Sequence, residues 1–134
     1  MLFRSMALNG ADMLIYPTAI GWDVADTKEE QQRQLDAWVA VQRGHAVANN
    51  LPVITCNRTG YETAENSDNG IKFWGNSFVF GVQGELLAQA DEVEQNLFAE
   101  INLNRTEDTR RIWPFFRDRR IDAFDDILKR WKRN

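Results

Sequence analysis

Along this chain, stretches of helical spacing alternate with short unbroken apolar runs, and each pattern predicts an element. Leu2, Phe3, Met6 and Ala7 have helical spacing, and Asn9-Gly10 supplies a helix stop. No capping residue precedes them apart from Met1, so the chain is expected to begin inside a helix. Met13-Leu14-Ile15-Tyr16 reads as a strand covered on both faces and flanked by other strands, ended by Pro17, with a loop over 18–26. Thr27-Lys28-Glu29-Glu30 fits a capping box. The helix that follows carries the stripe Leu35, Trp38, Val39, Gln42, His45, Ala46 and Asn49, and Asn49-Asn50 closes it. Residues 51–57 read as a buried strand, and the polar stretch Arg58 to Gly70 as a surface loop. Strand segments follow at 71–74, 77–80, 86–90 and 96–103, with a hairpin turn at 82–85. A short helix opens near Asn104 and stops before Pro114, and Ile121, Phe124, Ile127, Leu128 and Trp131 form the stripe of a last helix. The order predicts an α/β domain, a mixed sheet with helices on one face.

Composition narrows the class. The 134 residues are 43% hydrophobic and 27% charged, ordinary for one globular domain. Net charge is −4, yet the basic residues crowd the end: Arg105, Arg110, Arg111, Arg117, Arg119, Arg120, Lys129 and Arg130 all follow position 104. Acidic residues interleave with them, which favours a salt-bridged surface or subunit contact over a nucleic-acid partner. The single cysteine, Cys56, excludes an internal disulfide and fits a reducing compartment. No apolar run approaches the roughly 18 residues that span a membrane, and residues 1–6 lack a signal-peptide pattern. A cytoplasmic protein with no membrane association is expected.

Cys56 and His45 are the only thiol and the only imidazole. Cys56 lies within an apolar strand and reads as a buried, inert thiol. His45 reads as a core histidine hydrogen-bonded between helix and sheet, and a single His without companions makes no zinc site. The loop Thr18-Ala19-Ile20-Gly21-Trp22-Asp23 follows the carboxyl end of a strand, where open α/β sheets place ligands. Thr18, Ala19, Ile20, Trp22 and Asp23 are therefore the candidate substrate-binding residues, and Trp74, at a later strand end, is the candidate pocket wall. Asp23 has two readings: a carboxylate partner for an amine, or a solvated loop acid. Asn57 and Arg58 are expected to satisfy strand-end carbonyls.

Two segments carry a resemblance: Asp118-Arg119-Arg120-Ile121-Asp122 after Trp113-Pro114-Phe115-Phe116-Arg117, and Ile15-Tyr16-Pro17-Thr18-Ala19-Ile20-Gly21-Trp22. Together they resemble the nitrilase superfamily of carbon–nitrogen hydrolases, within it the branch of N-carbamoylputrescine amidohydrolases and β-ureidopropionase-like enzymes. The resemblance runs from Leu2 to about Asp126. It implies a four-layer α-β-β-α sandwich, of which this chain is the C-terminal half. One partial domain is expected over 1–134, with 104–134 making subunit contacts. The implied reaction is hydrolysis of a non-peptide C–N bond in a carbamoyl amine or amide, through a Cys thioester, with a Glu as acid and base and a Lys at the oxyanion. No metal or organic cofactor is implied. The family's Glu, Lys and Cys precede the segment that begins at Leu2, so no catalytic residue is assignable here. Family members carry an acidic residue at the position of Asp23, though Asp23 is shorter than the expected Glu and Trp22 stands in place of a small residue. Two functions stay open: part of an amidohydrolase completed by its missing half, or a non-catalytic assembly or regulatory module. In either case an apolar sheet face awaits the missing half or another copy.

Overall fold

The computed structural model describes residues 2–63 and 70–131. A short helix α1 (Leu2–Leu8) leads through Gly10, at φ +91°, into strand β1 (Leu14–Thr18). Strand β2 (Gly21–Asp23) and the 22-residue helix α2 (Lys28–Asn49) follow. The Thr27 side chain accepts from the Glu30 N–H, the N-terminal half of the predicted capping box. Glu30 turns its carboxylate to Arg33 instead of completing the box. At the other end Asn50 takes the left-handed conformation, φ 48°, and stops the helix.

Four strands form a mixed sheet in the order β1, β3 (Val53–Asn57), β6 (Phe78–Phe80), β7 (Leu86–Gln89). β1 and β3 are parallel, and the remaining pairs are antiparallel. The hairpin between β6 and β7 closes through Gly84 (φ +75°) and the Gly81 N–H to the Glu85 carbonyl at 2.8 Å. One face of this sheet receives the helices. Leu14, Val53, Phe78 and Phe80 pack there with Ala7, Ala46 and Leu51, and Trp38, Val39 and Phe3 lean on them. The stripe predicted for α2 is the packed one: Gln42, Ala46 and Asn49 are buried, and Gln42 Oε1 accepts from the Thr55 hydroxyl at 2.6 Å. His45 makes the expected bridge from helix to sheet, with Nδ1 3.3 Å from the Tyr16 hydroxyl.

The opposite face is covered only in part: Val79 is buried, Ile54 and Ala88 are half-buried, and Ile15 and Cys56 are exposed. By register, Ile15, Ile54, Val79 and Ala88 form one row across it, and Pro17 and Cys56 a second. Ile15 is 58% exposed.

Several sequence expectations change. Pro17 does not end β1 but lies inside it, which is tolerable because β1 has a neighbour on one side only. That also corrects the reading of β1 as flanked by strands on both sides. Part of the 18–26 loop is strand β2, and part of the 58–70 loop is strand β4 (Thr59–Thr63). Both pair with β5 (Gly70–Trp74) in a second, antiparallel sheet, so the strands divide into two sheets. Residues 64–69 of that predicted loop lie outside the described residues. A side chain on Gly21 would overlap the Lys72 carbonyl, which is why the β2–β5 approach needs glycine. Residues 96–103 are not a strand, since no sheet edge pairs with them. Helix α3 (Asn104–Ile112) forms as expected. The last helix does not: Ile121–Ala123 and Asp125–Leu128 are separate 3₁₀ turns with no buried residue. Cys56 is exposed, not buried, because strand alternation turns it away from the helix-covered face.

Candidate functional site

The carboxyl ends of the parallel strands β1 and β3 lie side by side, and Asn57 joins the loops around them. Its side-chain Oδ1 accepts from the Thr18 hydroxyl and from the Ile20 N–H, both at 3.0 Å. Its Nδ2 donates to the carbonyls of Ile20 and Gly75, again both at 3.0 Å. The Asn57 N–H donates to Ser77 Oγ at 2.9 Å. One amide thus ties the β1–β2 loop to the bend between β5 and β6, where Gly75 and Asn76 both have positive φ. The expected role of Asn57 at strand-end carbonyls holds, and it goes further, because this residue shapes the loop that holds the candidates. An Asn closing an apolar run was the only signal of it in the sequence.

Of the six candidates, Thr18 and Ile20 are held by Asn57 and are half-buried, and Ala19 between them is exposed. Trp22 and Trp74 lie beneath, 5% and 2% exposed. Their rings are 5.4 Å apart, Trp38 of α2 is 5.6 Å from Trp74, and the Trp22 indole N–H donates to the Gln31 carbonyl at 2.9 Å. The two tryptophans therefore support the loop from the helix side. Asp23 is exposed at the end of β2, and its Oδ1 accepts from the Ala25 N–H at 2.9 Å. That bond leaves the second carboxylate oxygen for another partner.

Beside Asn57 opens a cavity of about 280 Å³ whose walls include Arg58, Thr59, Ser77, Asp91 and Glu94. Arg58 pairs with Glu62 at 2.5 Å and lies over the Phe73 ring at 5.0 Å, so it is a fixed wall. The thiol and the imidazole are separated by the sheet. Tyr16, bonded to His45, belongs to the helix-covered face, and Cys56, paired in register with Pro17, belongs to the other. Burial holds His45 below its ordinary pKa and pushes Tyr16 up to about 12. His45 is thus a neutral acceptor or donor for Tyr16 and no base for Cys56. Among the described residues no group of three or more His, Cys, Asp and Glu is placed to hold a metal ion. No helix among them is long and apolar enough to cross a membrane.

Known proteins extend this picture. The carbon-nitrogen hydrolase family model matches residues 2–111. An N-carbamoylputrescine amidase from Oryza sativa subsp. japonica is 41% identical over 93% of this chain, and the match covers 42% of that protein. A citrullinase from Francisella tularensis is 37% identical over 96% of the chain, covering 43% of that enzyme. The crystal structure of a carbon-nitrogen hydrolase from Helicobacter pylori G27 superposes with a TM-score of 0.94 at 54% identity, over 97% of this chain and 45% of that one. The chain therefore spans less than half the length of the relatives it matches.

Proposed function

We propose, from the premise that this chain belongs to the carbon-nitrogen hydrolase family, that it forms the substrate-positioning portion of an enzyme that hydrolyses N-carbamoyl amines or amides. The nucleophile comes from polypeptide outside this chain. The observation that carries the proposal is the separation of its only thiol from its only imidazole by the thickness of the sheet. A Cys nucleophile needs a base within hydrogen-bond reach, and among the described residues Cys56 has no hydrogen-bonded base, with His45 on the far side of the sheet. What the chain does present is a braced strand-end loop with a carboxylate at its edge. Thr18, Ala19 and Ile20 form the wall, Trp22 and Trp74 the support, and Asp23 the partner for a distal ammonium of the substrate.

The completing polypeptide covers the exposed part of that sheet face, where Ile15 shares a row with the half-buried Ile54 and Ala88. A second copy of this chain is the other body able to cover it, and the segment from 104 onward takes part in subunit contact.

The test measures ammonia release from N-carbamoylputrescine by the chain alone and by the chain joined to the complementary part of the rice relative. The chain alone gives no turnover, and the joined protein does. In the joined protein Asp23→Asn lowers kcat/KM for the amine-bearing substrate roughly tenfold to a hundredfold and leaves uncharged ω-amides unchanged, since a charge-assisted hydrogen bond contributes about 1.5–3 kcal/mol. Turnover by the chain alone that Cys56→Ser abolishes would overturn the proposal. Equal loss on both substrate types would assign Asp23 to loop shape.

A further inference from the structure

Arginines near the chain end are mostly paired. Arg105 meets Glu85, Arg111 meets Glu107, Arg117 meets Asp118 and Arg120 meets Asp122. Arg4, Arg110 and Arg119 differ. Among the described residues none of the three has a carboxylate within ion-pair distance. Arg4, from α1, and Arg110, from α3, both lie over the ring of Phe116, at 4.8 and 5.0 Å from its centre. Their guanidinium carbons are therefore no more than about 10 Å apart. Arg119 is held beside the same residue by its Nε, which donates to the Phe116 carbonyl at 2.8 Å.

The donors themselves are the second observation. Arg4 Nη1 and Arg110 Nε and Nη2 are shielded from solvent and meet no acceptor among the described residues. Shielded N–H groups on cations are costly unless an anion answers them. Burial lowers the pKa of Arg4, and the nearby charge of Arg119 lowers it further. Alongside lies a cavity of about 240 Å³ walled by Arg110, Trp113, Pro114, Phe115, Phe116 and Arg117. That is room for a small anion or one acidic side chain, between aromatic walls.

We propose that Arg4, Arg110 and Arg119, gathered round Phe116, form a carboxylate-binding site at the junction of α1, α3 and the segment after Pro114. Arginine is suited to this because its planar fork offers two parallel N–H donors to the two carboxylate oxygens. The phenyl ring fixes the guanidinium planes by stacking, so little side-chain freedom is lost on binding. The proposal does not rest on the amidohydrolase reading. The carboxylate comes either from a free small acid or from an Asp or Glu side chain of a second copy of this chain.

Succinate is the probe, titrated into the full chain at constant ionic strength with chloride as control, while tryptophan fluorescence and the thermal midpoint are followed. Saturable succinate binding, reported by Trp113 and lost in Trp113→Phe, identifies a free acid as the source. Arg110→Gln weakens that binding about tenfold or more. Arg110→Lys keeps the charge but removes the fork, weakens binding as well, and serves as the second variant should the glutamine variant fail to fold. If the carboxylate belongs to a second copy, the thermal midpoint of the unmodified chain rises with protein concentration, and succinate competes that rise away. A midpoint indifferent both to succinate and to protein concentration overturns the site. So does a response to succinate no larger than the response to chloride.

Discussion

The body built on α2 and the four-stranded sheet and the segment from 113 to 131 carry apolar patterns of similar strength, yet opposite fates. In the body the pattern is consumed: Leu14 is 1% exposed, and Val53 and Phe78 are fully buried. In the terminal segment Ile121 stays 69%, Leu128 83% and Trp131 63% exposed. The helices of the body lie on a sheet face made by the same chain. In the terminal segment only Phe116 leans on the core, and beyond it the backbone hydrogen bonds among the described residues reach only two to four residues along the chain, as from Asp118 to Pro114. Helical periodicity therefore records a need for cover, and it forms a helix only where the cover is present.

The sharpest way to break this comparison is to truncate one apolar residue in each region. Phe78→Ala should cost about 3–5 kcal/mol, the usual penalty for emptying a core aromatic. Leu128→Ala should change stability by no more than about 0.5 kcal/mol, as at other exposed sites. Urea unfolding at pH 7 measures both. A Leu128 penalty near that of Phe78 would mean that the terminal segment has found its cover.

Next in size is the loss of the tie between the loops. Asn57→Ala removes acceptors and donors from four backbone or side-chain partners and should cost roughly 1–3 kcal/mol. Hydrogen exchange distinguishes this from general weakening. The Ile20 amide, which donates to Asn57, should exchange faster while the α2 amides keep their protection. Uniform acceleration through α2 would make Asn57 a part of the global core.

The smallest effect is in pH. Burial depresses the folded-state pKa of His45 below the unfolded value near 6.5. Between those two pKa values the unfolded chain binds more protons, so stability rises with pH there. The His45 contribution is complete above about pH 6.5 and declines as pH falls through that value. His45→Gln should flatten the slope of stability below that pH. Arg117–Asp118 and Arg120–Asp122 also lower their aspartates' pKa values, yet both pairs are exposed and screened. Asp118→Asn should leave the acid limb unchanged. A larger acid sensitivity in Asp118→Asn than in His45→Gln would reverse the roles of the two regions.

What the sequence determined by itself is what neighbours along the chain decide. The cap at Thr27, the stop at Asn50, the Gly84 turn and the helical stripe of α2 rest on contacts within a few residues, so they were legible. The family motifs were legible too, and they led to the Thr18–Asp23 loop. Tertiary structure decided the rest through ladders and faces that link distant residues. Pro17 is accommodated because β1 is an edge in this chain, β2 and β4 exist because β5 pairs with both, and Cys56 is turned outward by its register with Pro17. The Asn57 tie joins residues 18, 20, 57 and 75, and no local pattern encodes such a meeting. A strand is defined by its partner and a buried face by what covers it, and neither is a local property of the residues that form it.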